Sequence, residues 1–200
     1  MSRGRLVAFE GGEATGKSTQ AARLANRLGA LLTREPGGTA IGERARDLLL
    51  DPAVVGLDPI AEALLMAAAR AQHVAEVVRP ALDGGQDVVT DRYAHSSLAY
   101  QGYGRGLPVD DLRQLSTWAT GGVWPDVVVL LDVPDDVARS RSAFVDRFEG
   151  EGGGFHERVA AGFRELAAAE PEVWVVVDGV GSVDEVAERV WAAVRERIGS

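Results

Sequence analysis

Gly11-Gly12-Glu13-Ala14-Thr15-Gly16-Lys17-Ser18 reads G-x-x-x-x-G-K-S, and the segments on either side of it decide the fold. Before it lies a short apolar run, Leu6–Phe9, of the kind that forms a buried strand. After it, Lys17–Leu28 places Ala21, Leu24, Ala25 and Leu28 on one face of a helix. A glycine-rich loop between a strand and a helix turns backbone N–H groups inward, and the helix points its positive end at the same spot. The loop over 11–18 is therefore a phosphate cradle. Lys17 is suited to bridging β- and γ-phosphates, and Ser18 to ligating Mg²⁺. Lys17 is also the sole lysine among 21 basic residues. An ammonium is a compact point charge that a planar guanidinium does not replace.

Reading outward, four more apolar runs look like buried strands: Ala30–Thr33, Asp87–Thr90, Asp126–Leu131 and Val173–Val177. The last two are Val-rich on both faces, as in parallel sheets covered by helices. Helical patterns lie between them, over Ala61–Leu82, Asp110–Trp118, Asp135–Val145, Phe155–Ala169 and Ser182–Ile198. Pro80 weakens the last turn of the first of these. Ser182, with Glu185 three residues on, forms a capping signal for the last. Alternating strand and helix predicts an α/β fold, a five-stranded parallel sheet flanked by helices, in a single domain over 1–200. The low-complexity stretch Glu149–Gly154 reads as a mobile loop.

Composition removes several function classes. A net charge of -9 argues against broad nucleic-acid or anionic-membrane binding. Without cysteine, disulfides, thiolate catalysis and cysteine-ligated metals are ruled out. No apolar run approaches the roughly 20 residues of a membrane span. The four-residue apolar run near the start is too short for a secretory signal, so a cytoplasmic setting is expected. His73, His95 and His156 show no metal-ligand spacing.

Three of the expected strands end at aspartates, Asp91, Asp132 and Asp178, any of which could be the acidic partner of Mg²⁺. Asp91 stands out because Arg92 follows it, placing a carboxylate and a guanidinium together at a strand end. Asp132 and Asp178 read better as strand termini or helix caps. A kinase for a small phosphorylated acceptor also requires a second anion site. Candidates are the polar turn Thr33-Arg34-Glu35-Pro36-Gly37-Gly38-Thr39, Arg70 in an apolar helix, and Arg92. Arg70 could equally snorkel at the surface.

These segments, together with Asp91-Arg92-Tyr93 and Ser96-Ser97-Leu98-Ala99-Tyr100-Gln101-Gly102, occur in an order and spacing that closely resembles the bacterial thymidylate kinase family. The resemblance runs from Leu6 to the last helix. It implies a P-loop kinase fold with a short mobile lid, and phosphorylation of dTMP to dTDP by ATP with Mg²⁺, in dTTP biosynthesis, by a homodimer. By resemblance, Gly11 to Ser18 and Thr19 bind ATP, while Ser18 and Asp91 organise the metal. Lys17, Asp91 and Arg92 act on the transferring group. Arg92 holds the dTMP phosphate, Glu13 approaches the sugar 3′-hydroxyl, and Tyr100 crowds the 2′ position against ribonucleotides. Arg70 lies against thymine, Ser97 adds polar contacts to the base, and Glu35, Pro36, Ser96 and Gln101 complete the acceptor site.

The chain departs from the family pattern twice. Met66 stands where a phenylalanine usually stacks on the base, and a thioether can cover an aromatic face with comparable contact area. Ala14 stands where some members carry a P-loop arginine, so positive charge must come from elsewhere. Residues about 135–155 then read as a lid. Within it, Arg147 is expected to reach the transition state and Arg139 and Arg141 to reach ATP. The nearest rival is another P-loop kinase for a different nucleotide or a nucleoside. A guanine-reading switch would require an Asn-Lys-x-Asp string, which a chain with a single lysine at position 17 does not have.

Overall fold

The computed structural model describes residues 2–141, 147–148 and 150–199, with the side chains of residues 135 and 139 left out. Five strands form one parallel sheet: β1 (Leu6–Glu10), β2 (Leu31–Arg34), β3 (Val88–Asp91), β4 (Val127–Asp132) and β5 (Trp174–Asp178), in the order β2-β3-β1-β4-β5. Four of them begin one residue later than the apolar pattern predicts, and all five take in the polar residue at the end. The backbone ladder continues under that residue, pairing Phe9 with Asp91 and Asp132 with Asp178. The expected parallel sheet is thus observed, and its acidic residues close strands rather than follow them.

Alternation along each strand sorts the core. Val7, Phe9, Val127 and Val129 face α1 (Lys17–Leu28), and with them pack Val186, Val190 and Val194 of the capped last helix. Leu6, Ala8 and Val88 face the other way. β4 is buried over Val127–Leu131, but β5 is an edge strand with Val176 exposed, so the expected two-sided cover holds for only one of the pair.

The remaining helices are α2 (Ala40–Leu50), α3 (Pro59–His73), α4 (Arg79–Asp83), α5 (Ala94–Ser97), α6 (Val109–Thr120), α7 (Asp135–Arg141), α8 (Gly153–Ala169) and α9 (Val183–Ile198). The long helix expected over Ala61–Leu82 is divided. α3 widens into a π-helical stretch over Val74–Val78 before α4 resumes with Pro80 in its first turn. Proline has no N–H to give to the preceding turn, and a π segment absorbs the interruption. α5 likewise continues as a π-helix over Leu98–Gly104, carrying Tyr100 and Gln101. Neither α2 nor this Ala94–Gly104 segment is apparent from the periodicity. The local signal for α2 is Thr39, whose side chain caps it by accepting from the Gly42 N–H at 3.0 Å.

The sheet order places the loop after β1 between the edges of β3 and β4. That is where strand order reverses, and where open α/β sheets hold ligands.

Candidate active site

The loop after β1 is shaped by positive φ angles. Gly11 has φ 140°, and a Cβ there would lie 2.8 Å from the Leu131 carbonyl oxygen. No larger residue fits between β1 and β4. Ala14 also adopts a left-handed conformation, φ 53°, a strained state for a non-glycine residue.

Lys17 is buried, its ammonium donating to the Gly12 carbonyl and lying 3.4 Å from Thr15 Oγ1. Burial, with the nearby charge of Arg92, pulls its pKa down to about 8, despite opposition from Glu13, Asp91 and Glu10. An anion in the loop would restore what desolvation removes. Ser18 donates to Asp91 across the gap from α1 to β3, while the other carboxylate oxygen, Asp91 Oδ1, is buried without a partner. A hydroxyl and a half-satisfied carboxylate are hard oxygen donors of the kind Mg²⁺ takes, alongside phosphate oxygens and water. The residues therefore fit the ion. Among the described residues, no group of three His, Cys, Asp or Glu forms a cage for it. Asp132 and Asp178, the other strand-end acids, pair instead with Arg164 and Arg189.

Arg92 adopts φ 67°, its backbone N–H bonded to the Phe9 carbonyl at 2.9 Å. The turn aims its guanidinium back at the loop. Its Nη1 donates to Gly11 O and Ser96 Oγ, both at 3.1 Å, and its Nη2 to Glu13 Oε1 at 2.6 Å and Tyr100 OH at 3.0 Å. Tyr100 OH in turn donates to Glu13. Burial alone would raise the Glu13 pKa. The charges of Arg92 and Lys17 and the tyrosine hydrogen bond outweigh it, holding the carboxyl at about 2.

Beneath this cluster lies Glu10, fully buried at the end of β1. It accepts from the Tyr93 N–H at 2.9 Å, the Ser96 N–H at 3.1 Å and Ser96 Oγ at 2.5 Å. Burial raises its pKa to about 7 against the pull of Arg92 and these hydrogen bonds. Glu10 thereby fixes the start of α5, which carries Ser96 and Ser97.

Farther from the loop, Arg70 is 3% exposed, which rules out a snorkelling surface role. Its Nε donates to Glu35 Oε2 at 2.7 Å and its Nη2 to Ser97 Oγ at 3.0 Å and Tyr93 O at 3.3 Å. His73 bridges Glu35 at 2.9 Å and Thr33 at 2.6 Å. Gly38, φ 76°, lets the turn lie against that imidazole, because a Cβ would sit 2.8 Å from it.

Between the two charged ends opens a cavity lined by charged, polar and apolar side chains. Of the residues assigned to the acceptor from sequence, Glu13, Glu35, Pro36, Met66, Arg70, Arg92, Ser96, Ser97, Tyr100 and Gln101 all line it. It also contains residues the sequence did not mark: Arg46, held by the Pro36 carbonyl at 3.0 Å, together with Leu50, Tyr93 and Phe148. Arg46 and Leu50 lie on α2, the helix whose pattern was too weak to read. Tyr93 follows Arg92 in the sequence, and its backbone carbonyl accepts from Arg70.

Arg147, expected at the transition state, has its partners elsewhere in this structure. Its Nε donates to Leu49 O at 2.7 Å and its Nη1 lies 2.7 Å from Glu62 Oε2, so among the described residues it joins α2 and α3, not the phosphate loop. Glu62 is wholly buried and draws the guanidinium as its countercharge. Arg141 reaches the Gly179 carbonyl at 3.3 Å. The side chain of Arg139, and residues 142–146 and 149 of the expected lid, lie outside the described residues. Thr19 is exposed in the first turn of α1, beside Ser18.

A family model described as thymidylate kinase matches residues 9–190. The chain is 50% identical over 200 residues to a thymidylate kinase of Synechococcus sp. (strain JA-3-3Ab), with 96% of each covered. It is 49% identical over 205 residues to that of Deinococcus radiodurans, with 98% of this chain and 99% of the relative covered. A crystal structure of thymidylate kinase from Ehrlichia chaffeensis superposes with a TM-score of 0.81 at 30% identity, covering 96% of this chain and 99% of the other.

Proposed function

The chain belongs to the thymidylate kinase family, and from that premise we propose that it transfers the γ-phosphoryl group of ATP to dTMP through the residues gathered around this cavity. A 5′-phosphate oxygen of dTMP bonds to the γ-phosphorus as the bond from that phosphorus to the β,γ-bridging oxygen breaks. The products are dTDP and ADP. The observation that carries this reading is the Arg92–Glu13–Tyr100 cluster, which sits beside Lys17 and also lines the cavity. One set of side chains thus links a triphosphate loop to an acceptor pocket.

In this reading the loop amides and Lys17 hold the β- and γ-phosphates, and Arg92 takes the acceptor phosphate. Glu13, held as a carboxylate, accepts from the 3′-hydroxyl, and Tyr100 closes the space a 2′-hydroxyl would require. Arg70 and Ser97 address the base, with Met66 covering its face. Arg46 adds a second guanidinium toward the acceptor phosphate. Ser18 and Asp91 would hold Mg²⁺, which supplies charge neutralisation between phosphate oxygens when bound. Arg139 and Arg141, at the end of α7, are assigned to ATP.

A homodimer is supported by Leu48 on α2, Ile60 and Leu64 on α3 and Trp118 on α6, all exposed on helices that pack together. Leu64→Glu should convert a dimer to a monomer in sedimentation.

The substrate is tested with an ADP-release assay on dTMP, dUMP, dCMP and dGMP. Turnover of dTMP far above the others is expected. Activity on dCMP or dGMP exceeding that on dTMP would overturn the assignment.

A further inference from the structure

Glu62 stands in the first turn of α3 and is fully buried. Gln101 Nε2 donates to its Oε1 at 2.8 Å. Arg105 donates to both its oxygens, at 3.3 and 3.1 Å, and Arg147 Nη1 lies 2.7 Å from Oε2. Glu151 takes another nitrogen of Arg105 at 2.5 Å. Packing alone does not require such a cluster, since buried ionic groups can be replaced by apolar residues without loss of stability. Its consequence for the cavity lies in Gln101, which is 1% exposed and lines it.

An amide presents two different faces, an NH₂ that only donates and a carbonyl that only accepts. A carboxylate flanked by two guanidinium groups accepts and does not donate. Glu62 therefore captures the NH₂ of Gln101 and leaves the carbonyl oxygen as the amide's remaining polar atom. Thymine carries a hydrogen on N3 and offers a donor on that edge. Cytosine has a lone pair on N3, which a carbonyl oxygen repels.

We propose that Glu62 is a specificity-positioning residue: by holding the Gln101 amide in one orientation, it makes the acceptor pocket admit a base with a donor at N3 and reject one with an acceptor there. This rests on the reading of the cavity as the dTMP site.

Glu62→Gln replaces an obligate acceptor with a group that can donate or accept, so the Gln101 amide is free to turn. Expected is a fall of at least about tenfold in the ratio of kcat/KM for dTMP over dCMP, with KM for ATP within about twofold of wild type. A structural role would not move that ratio selectively. Gln101→Met should lower the same ratio, and adding Glu62→Gln to it should change little further, because the two act as one unit. An unchanged ratio in Glu62→Gln, a parallel loss for dTMP and ATP, or full additivity with Gln101→Met would overturn the inference. If Glu62→Gln does not fold, Gln101→Met decides alone, an unchanged ratio there being equally fatal. Wild-type protein inactive on dTMP would overturn the substrate reading itself, and this inference with it.

Discussion

Replacing Glu35 by Gln should be among the most destabilising single-charge changes in this protein. Glu35 and Arg70 are 4% and 3% exposed, 2.7 Å apart, and His73 lies on the other carboxylate oxygen at 2.9 Å. The variant leaves a guanidinium in the interior without its countercharge. Removing one partner of a buried pair costs about 3–5 kcal/mol. In a domain of this size that is a fall in Tm of roughly 6–20 °C, at about 2–4 °C per kcal/mol. Arg34–Glu43 is an internal control in the same region, with side chains 54% and 41% exposed. Glu43→Gln should cost at most about 1 kcal/mol. Urea unfolding at pH 7, read by far-UV circular dichroism, measures both. The double variant Glu35→Leu/Arg70→Met removes both charges and should recover most of the lost stability. It should nonetheless fail to bind dTMP, since Arg70 is gone. A Glu35→Gln cost no larger than that of Glu43→Gln would refute the reasoning.

Lys17→Met should abolish phosphoryl transfer while dTMP binding stays measurable by calorimetry, and retained turnover would contradict the phosphate role of the loop. Glu10 titrates near 7 in the fold against 4.5 unfolded, so between those values the folded state holds the extra proton. Its contribution is present below pH 4.5 and lost as pH rises through 7, up to about 3 kcal/mol over the window. Glu10→Gln should flatten that slope in urea midpoints taken at pH 5, 6 and 8, and an unaltered slope would show that another group is responsible. Arg147→Ala removes one of two guanidinium partners of Glu62 and should lower stability by about 1.5–3 kcal/mol. If it instead lost on the order of 10³ in kcat with unchanged stability, an arginine-finger role would be restored.

Much of this protein is legible in one dimension because the relevant physics is local. A strand, a glycine-rich turn and an amphipathic helix are each set by neighbouring residues, so the turn after β1 and the helix from Lys17 to Leu28 lie where the sequence places them. The parallel sheet follows from apolar runs alternating with helices, and the Ser182–Glu185 capping box from spacing alone. Every residue assigned to the acceptor site lines one cavity because short motifs carry both residue type and separation. What the chain order does not contain is the identity of partners distant along it. α2 has a weak pattern because it packs on α3 while exposing Ile41 and Leu48, so Arg46 went unread. Arg70 looks the same on paper whether it snorkels or is buried, and only the approach of Glu35 and Ser97 decides between them. Arg147 shows the same limit from the other side. In sequence it is a cation beside a glycine-rich stretch, available to any phosphate. In the fold a buried carboxylate on α3 claims it first, because an unpaired charge in the interior costs more than an arginine at the surface gains.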